Sequence, residues 1–288
     1  MPMLLDGQPF RKFLYAVDEA LIKDYFKSIN KPISDSPGFW DDNVKTFLEN
    51  LPEPERLGIL EDFEIINEVA KKMDCIVRAT QATGIPVLPA VPNERNAMGL
   101  FVHYPDTFRM ARDYYLCFTL EADVTYCQMP PESNANFDPA KINNLKTEIA
   151  AHFQFLHKGP NCSVRHYFEE NKHYILVERG DYIKTDMEWK DGENKTKPIF
   201  YRPGKEDVLV YNPDNKVLGI RLSGKGADTK KKYVELFGTH ILGQAQLPDS
   251  VHKTALVSLE PFSTGKFSYK GNAVIREIKL IGLEGAIL

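Results

Sequence analysis

The sequence predicts an α+β protein: a helical N-terminal half followed by a mostly antiparallel sheet region with one C-terminal helix. Three observations predict it. Apolar residues recur at helical spacing as far as Gly159. Beyond it the period falls to about two, and the residue types shift to Val, Ile, Tyr and Phe. The joins between these short runs are Glu170-Asn171, Arg179-Gly180-Asp181, Asp191-Gly192 and Pro213-Asp214-Asn215, turn chemistries that pair successive strands antiparallel.

The elements follow in order. Phe10, Phe13, Leu14, Val17, Leu21 and Tyr25 place one apolar stripe on a single helix of five turns. Pro32 to Gly38 ends it; Val44, Phe47, Leu48 and Leu51 then predict a short helix. Pro52 and Pro54 open a longer one carrying Leu57, Leu60, Phe63, Ile66 and Val69. Gly84 to Pro92 is rich in turn formers and reads as loop or edge, a first boundary. Ala97, Leu100, Phe101 and Tyr104 continue as helix up to Pro105, and Asp106 is placed to cap another carrying Phe108, Ala111, Tyr115 and Phe118. Residues 1–127 thus form the helical region.

Residues 128–160 read as a loop and a connecting helix. Gln128 to Asp138 is the most loop-like stretch; Asp138-Pro139 then starts a helix on Ile142, Leu145, Ile149, Phe153 and Leu156. Residues 161–288 form the mostly antiparallel region. Strands are expected at 163–168, 173–178, 182–187, 198–202, 208–211 and 217–222, a helix at 229–242 packed by Tyr233, Leu236, Phe237 and Ile241, and further strands at 254–259 and 273–283.

Composition bounds the function class. With 288 residues, 43% hydrophobic and 26% charged, the chain matches an ordinary globular protein with enough length to bury a core. A formal net charge of −4 lacks the whole-molecule basic field of an autonomous nucleic-acid binder, although a local patch remains possible. Cys75, Cys117, Cys127 and Cys162 have no CxxC spacing and read as reduced thiols in a cytoplasm. Met1 to Gln8 falls short of a signal peptide, and no run approaches the ~18 apolar residues of a membrane span. The expected protein is soluble and unanchored.

Four short runs carry a resemblance: Glu178-Arg179-Gly180-Asp181, Phe200-Tyr201-Arg202-Pro203, Phe237-Gly238-Thr239-His240 and Ser258-Leu259-Glu260-Pro261. Taken in order over residues 162–283, they resemble a family of uncharacterised bacterial proteins associated with defence operons. The resemblance implies that setting and nothing more: no activity, cofactor or catalytic residue comes with it, and the helical half lies outside it.

Three constellations carry candidate chemistry. Asp186, Glu188 and Lys190, with Asp181 upstream, match the acidic-x-Lys end of a nuclease strand, where carboxylates hold Mg²⁺ and Lys positions the attacking water. Residues two apart in a strand share a face, so a solvated face shows the same pattern. His166 and His173 flank the Glu169 to Asn171 turn, where a hairpin brings both imidazoles near Glu169 or Glu170 as a metal or acid–base cluster; a polar surface hairpin is the alternative. Lys225, Lys230, Lys231 and Lys232, with Gly224 and Gly226, enter the last helix where free N–H groups and the helix dipole favour a phosphate. The spacing is not that of a P-loop, and a lysine run is commonly a solvated surface. No GxSxG, HExxH or GxGxxG element is present.

The expected function is an accessory, non-catalytic component of a bacterial cytoplasmic multi-protein system. It contacts a partner protein or nucleic acid through its helical half and the Lys225 to Lys232 loop. The alternative is a Mg²⁺-dependent nuclease using Asp181, Asp186, Glu188 and Lys190. A third reading is a homo-oligomer joined by the apolar tail, residues 280–288.

Overall fold

The computed structural model describes residues 7–33, 40–88, 90–119, 124–190, 195–224 and 226–247. The strands expected at 254–259 and 273–283, the tail at 280–288, and Lys225 lie outside the described residues. The α+β class is as expected. Seven helices come first: α1 (Gln8–Val17), α2 (Glu19–Ser28), α3 (Trp40–Glu49), α4 (Glu53–Ala70), α5 (Met73–Thr83), α6 (Asn93–His103) and α7 (Pro105–Phe118). Their apolar faces meet in one aromatic core, where Tyr25 and Phe13 pack on Phe63 with ring centroids 5.1 and 5.3 Å apart.

The single helix expected across Phe10 to Tyr25 is two. Asp18 adopts φ 81 and ψ 159, a region that costs an L-residue on the order of 1–3 kcal/mol. Two contacts offset that cost: the Asp18 carboxylate accepts the Leu21 N–H at 3.1 Å, capping α2, and meets Arg95 of α6 at 2.9 Å. α7 begins at Pro105 with Tyr104 as its N-cap, so Asp106 sits in the first turn rather than capping it. α5 has no counterpart among the expected helices, because its buried side, Cys75, Ile76, Ala79 and Thr80, is too small and mixed to form an apolar stripe.

The second half holds β1 (Thr125–Gln128), α8 (Pro139–Phe155), β2 (Cys162–Glu169), β3 (Lys172–Gly180), β4 (Lys184–Lys190), β5 (Lys195–Tyr201), β6 (Gly204–Asn212), β7 (Val217–Arg221) and α9 (Ala227–His240). Five strands form one antiparallel sheet in the order β1-β7-β6-β3-β2, and β4 and β5 form a separate two-stranded ribbon between β3 and β6. β1 shortens the helical region expected to run to residue 127, since Thr125 to Gln128 pair with β7. One face of the sheet, with Ile175, Val177, Leu209 and Ile220, packs on α8 and α9. The other, with Tyr174, Leu176 and Val208, packs on Cys117 of α7. Both faces of β3 are therefore covered, which is why it reads as the continuous run Tyr174-Ile175-Leu176-Val177.

Two buried carboxylates pin these layers. Asp113 of α7, 0% exposed, receives Arg165 Nε at 2.5 Å, Arg165 Nη2 at 2.9 Å and the Tyr167 hydroxyl at 2.5 Å, tying the helical half to β2. On the opposite face Asp207 of β6 receives Arg179 Nε at 2.5 Å, the Tyr233 hydroxyl of α9 at 2.7 Å and the Ser223 N–H at 2.9 Å. The Arg179 guanidinium lies 4.4 Å above the Phe153 ring of α8. Among the described residues no helix is long and apolar enough to cross a membrane.

Removing one partner of a buried ion pair leaves the other charge uncompensated. Asp207→Ala is expected to lower the unfolding free energy by about 3–5 kcal/mol in denaturant titration at unchanged m-value. A loss below about 1 kcal/mol, the usual range of exposed pairs, would remove Asp207 as the pin.

Candidate functional site

The ribbon of β4 and β5 leaves the sheet at the Gly180–Gly204 pair. Only glycine fits at 180: a Cβ there would lie 2.5 Å from the Lys158 carbonyl and 2.7 Å from Arg202 Cδ. Arg202 Nη1 donates to the His157 carbonyl at 3.0 Å and to the Asp181 carbonyl at 2.7 Å, and Lys158 stacks over Tyr182 at 4.7 Å. The base of the ribbon is thus clamped to the turn that follows α8.

Register decides what the ribbon presents. Thr185, Met187 and Trp189 lie opposite Phe200, Pro198 and Thr196, so these six share one face. That face is uncharged. Lys184, Asp186 and Glu188 lie opposite Tyr201, Ile199 and Lys197 on the other. Met187 is 56% exposed, Trp189 56% and Phe200 70%. Six of the thirteen large apolar side chains exposed among the described residues fall between Tyr182 and Tyr201, which marks the ribbon as an unpartnered surface rather than scatter.

The proposed nuclease residues divide over this element. Asp186 and Glu188 share the charged face, Glu188 facing Lys197 across the strands, and Lys190 ends β4 opposite Lys195. Asp186 accepts the Met187 N–H at 2.9 Å. Asp181 is not brought to them. It lies at the ribbon's base, 3.4 Å from Lys158. Burial opposes its charge, but the Tyr182 N–H and the Lys158 ammonium outweigh that and hold it below the usual carboxylate range. Among the described residues no three His, Cys, Asp or Glu side chains gather as a metal ion requires.

The two histidines do meet: His166 Nε2 and His173 Nδ1 are 2.9 Å apart, one donating and the other accepting. Phe137 stacks on both rings, at 4.7 and 3.7 Å between centroids. The carboxylates expected beside them are engaged elsewhere: Glu169 binds Arg78 at 3.1 Å and the Tyr114 hydroxyl at 2.9 Å, and Glu170 binds Arg78. Strand alternation puts Glu169 on the face opposite His166.

Of the lysines entering α9, Lys230 Nζ donates to Thr125 Oγ1 of β1 at 2.5 Å and Lys232 lies 3.7 Å from Glu235. Lys231 is exposed. A cleft of about 580 Å³, invisible to motif reading, lies between α5, the end of α7 and the uncovered part of the sheet. It is lined by Lys72 and Cys75 on the helical side and by Lys172, Tyr126 and Gly219 on the sheet side. Burial raises the Cys75 thiol to about 11 and Cys117 to about 12, so both stay protonated at neutral pH and are not nucleophiles.

Two measurements check this geometry. Burial, with His173 adding repulsion, lowers His166 from 6.5 to about 4, and burial also lowers His173. The unfolded chain therefore binds more protons than the folded one between those values. The stability the neutral pair contributes is complete above the unfolded value and is lost as pH falls toward 4. From pH 7 to pH 5 the wild type is expected to lose stability on this account, by less than about 2 kcal/mol because both rings keep partial contact with solvent. In the His166→Gln, His173→Gln double variant that loss should shrink; an unchanged pH slope would contradict it. Met187→Ser, Trp189→Ser and Phe200→Ser should each shift stability by no more than about 0.5 kcal/mol, because their faces are already in water. A larger loss in thermal unfolding would mean the ribbon face is packed. No family model matches the chain, and no curated protein matches it.

Proposed function

We propose that this chain is a non-catalytic accessory component of a bacterial cytoplasmic multi-protein system, of the kind its resemblance places in defence operons, and that it docks a partner protein on the apolar face of the β4–β5 ribbon. The observation that carries the reading is the exposure of Met187, Trp189 and Phe200 on one uncharged face of an element whose base is clamped. Exposed Trp and Phe on a held scaffold are what binding hot spots are made of, since little ordering entropy remains to be lost. Charge supports protein over nucleic acid at this site. Across residues 184–201, Lys184, Lys190, Lys195 and Lys197 are matched by Asp186, Glu188, Asp191 and Glu193, so the ribbon has no net attraction for a polyanion.

The test uses purified proteins encoded beside this chain, titrated calorimetrically. The wild type should bind one of them, and the Met187→Ser, Trp189→Ser, Phe200→Ser triple variant should bind it at least tenfold more weakly while remaining folded. Equal affinity for both overturns the docking site. The nuclease alternative is separated by incubation with DNA or RNA and Mg²⁺ or Mn²⁺. Intact substrate is expected; cleavage that disappears in Glu188→Ala and Lys190→Ala overturns the non-catalytic reading.

A further inference from the structure

The helical half covers only part of its face of the sheet. α7 meets the sheet at β3 and β6, through Cys117, Tyr174, Leu176 and Val208, and toward β7 and β1 no described residue covers the face. The resulting cleft, about 580 Å³, lies inside the ~300–1,000 Å³ range of small-molecule sites. Its position, between two packed units and away from the ribbon's exit from the sheet, separates it from the docking surface described above.

The walls divide by chemistry. Cations approach from both sides: Lys72 at the start of α5 and Lys172 at the start of β3, neither with an ion-pair partner among the described residues. Arg78, also on the wall, is spent on Glu169 and Glu170. Asp74 and Glu170 are the acids of the lining, so against the three cations Lys72, Arg78 and Lys172 the wall keeps one excess positive charge. The flat surfaces are Tyr126, Phe118 and Tyr174. Phe118 is fixed edge-on to Tyr174 at 5.0 Å, and Tyr126, 48% exposed, lies over Gly219. A Cβ at 219 would come within 3.2 Å of the Tyr126 ring and 3.0 Å of Val124, so the glycine makes room for that ring to lie down on the sheet. The floor includes Cys75 and Cys117, buried and engaged in no covalent bond. Unpaired ammonium groups call for an oxyanion, and an exposed aromatic face calls for a planar ring.

We propose that this cleft is a binding site for a nucleoside monophosphate-type ligand, its anionic group held between Lys72 and Lys172 and its ring laid on Tyr126. The ligand sits against α5, α7 and the sheet at once, so occupancy stabilises the fold.

The full chain is titrated calorimetrically at low salt with the four ribonucleoside monophosphates, the matching nucleosides and inorganic phosphate. At least one nucleotide is expected to bind below about 1 mM, at least tenfold tighter than its nucleoside or phosphate alone. Tyr126→Ala should weaken it roughly tenfold through lost stacking, and Lys172→Glu should do the same with a reduced salt dependence. Both positions are at the surface of the cleft, so melting of the unliganded variants should stay at the wild-type value, and Lys172→Arg should retain binding. No nucleotide binding below about 1 mM overturns the proposal, as does inorganic phosphate binding as tightly as the nucleotides, or affinity unchanged in both variants.

Discussion

A buried carboxylate with three donors holds this protein's architecture in place. Asp207 sits on a central strand, receives Arg179 from the neighbouring strand, Tyr233 from α9 and the Ser223 N–H from the connection between β7 and α9. Placing an ion pair in a water-excluded layer is costly unless every lone pair finds a donor. Here the three donors come from three separate parts of the chain and the acceptor from a fourth, so the network is satisfied only when strands, loop and helix are all in place. Asp113 repeats the device on the other face, where Arg165 and Tyr167 of β2 meet α7 and the outer guanidinium nitrogen of Arg165 reaches Glu178 at 2.8 Å. Each layer is thus registered to the sheet by charge as well as by apolar contact.

This arrangement explains where the protein has surface to spare. Conspicuous charges of the sheet region, Arg165, Glu178, Arg179 and Asp207, are turned inward to one another. The apolar groups of the ribbon are turned outward, because β4 and β5 depart from the sheet at Gly180 and Gly204 before any helix covers them. Among the described residues no second layer buries the ribbon's apolar face, and two strands alone are marginal in water. Its clamp through Arg202 on the turn after α8 supplies what the missing strands do not.

Legibility followed locality. α8 was readable because its Asp-Pro start and its stripe of Leu145, Ile149 and Phe153 are all within one element. The hairpin of β2 and β3 was readable from its turn, down to the meeting of His166 and His173. What fills the space around that pair was not: Phe137 arrives from an irregular segment, and Arg78, from a helix with little apolar signal, draws Glu169 and Glu170 away. β1 is four residues long with one buried side chain, so its strand character comes from its partner β7.

By itself the sequence determined the class of fold, the change from helices to strands near Gly159, and the alternation that puts residues two apart on one face of β4. These depend on spacing along the chain, which backbone geometry converts directly into faces. Only the tertiary structure decided that the chain bends at Asp18, that the ribbon's apolar face stays uncovered, and that two lysines distant in sequence line one cleft. Those outcomes depend on which surfaces of different elements arrive at the same place, and no local period encodes that.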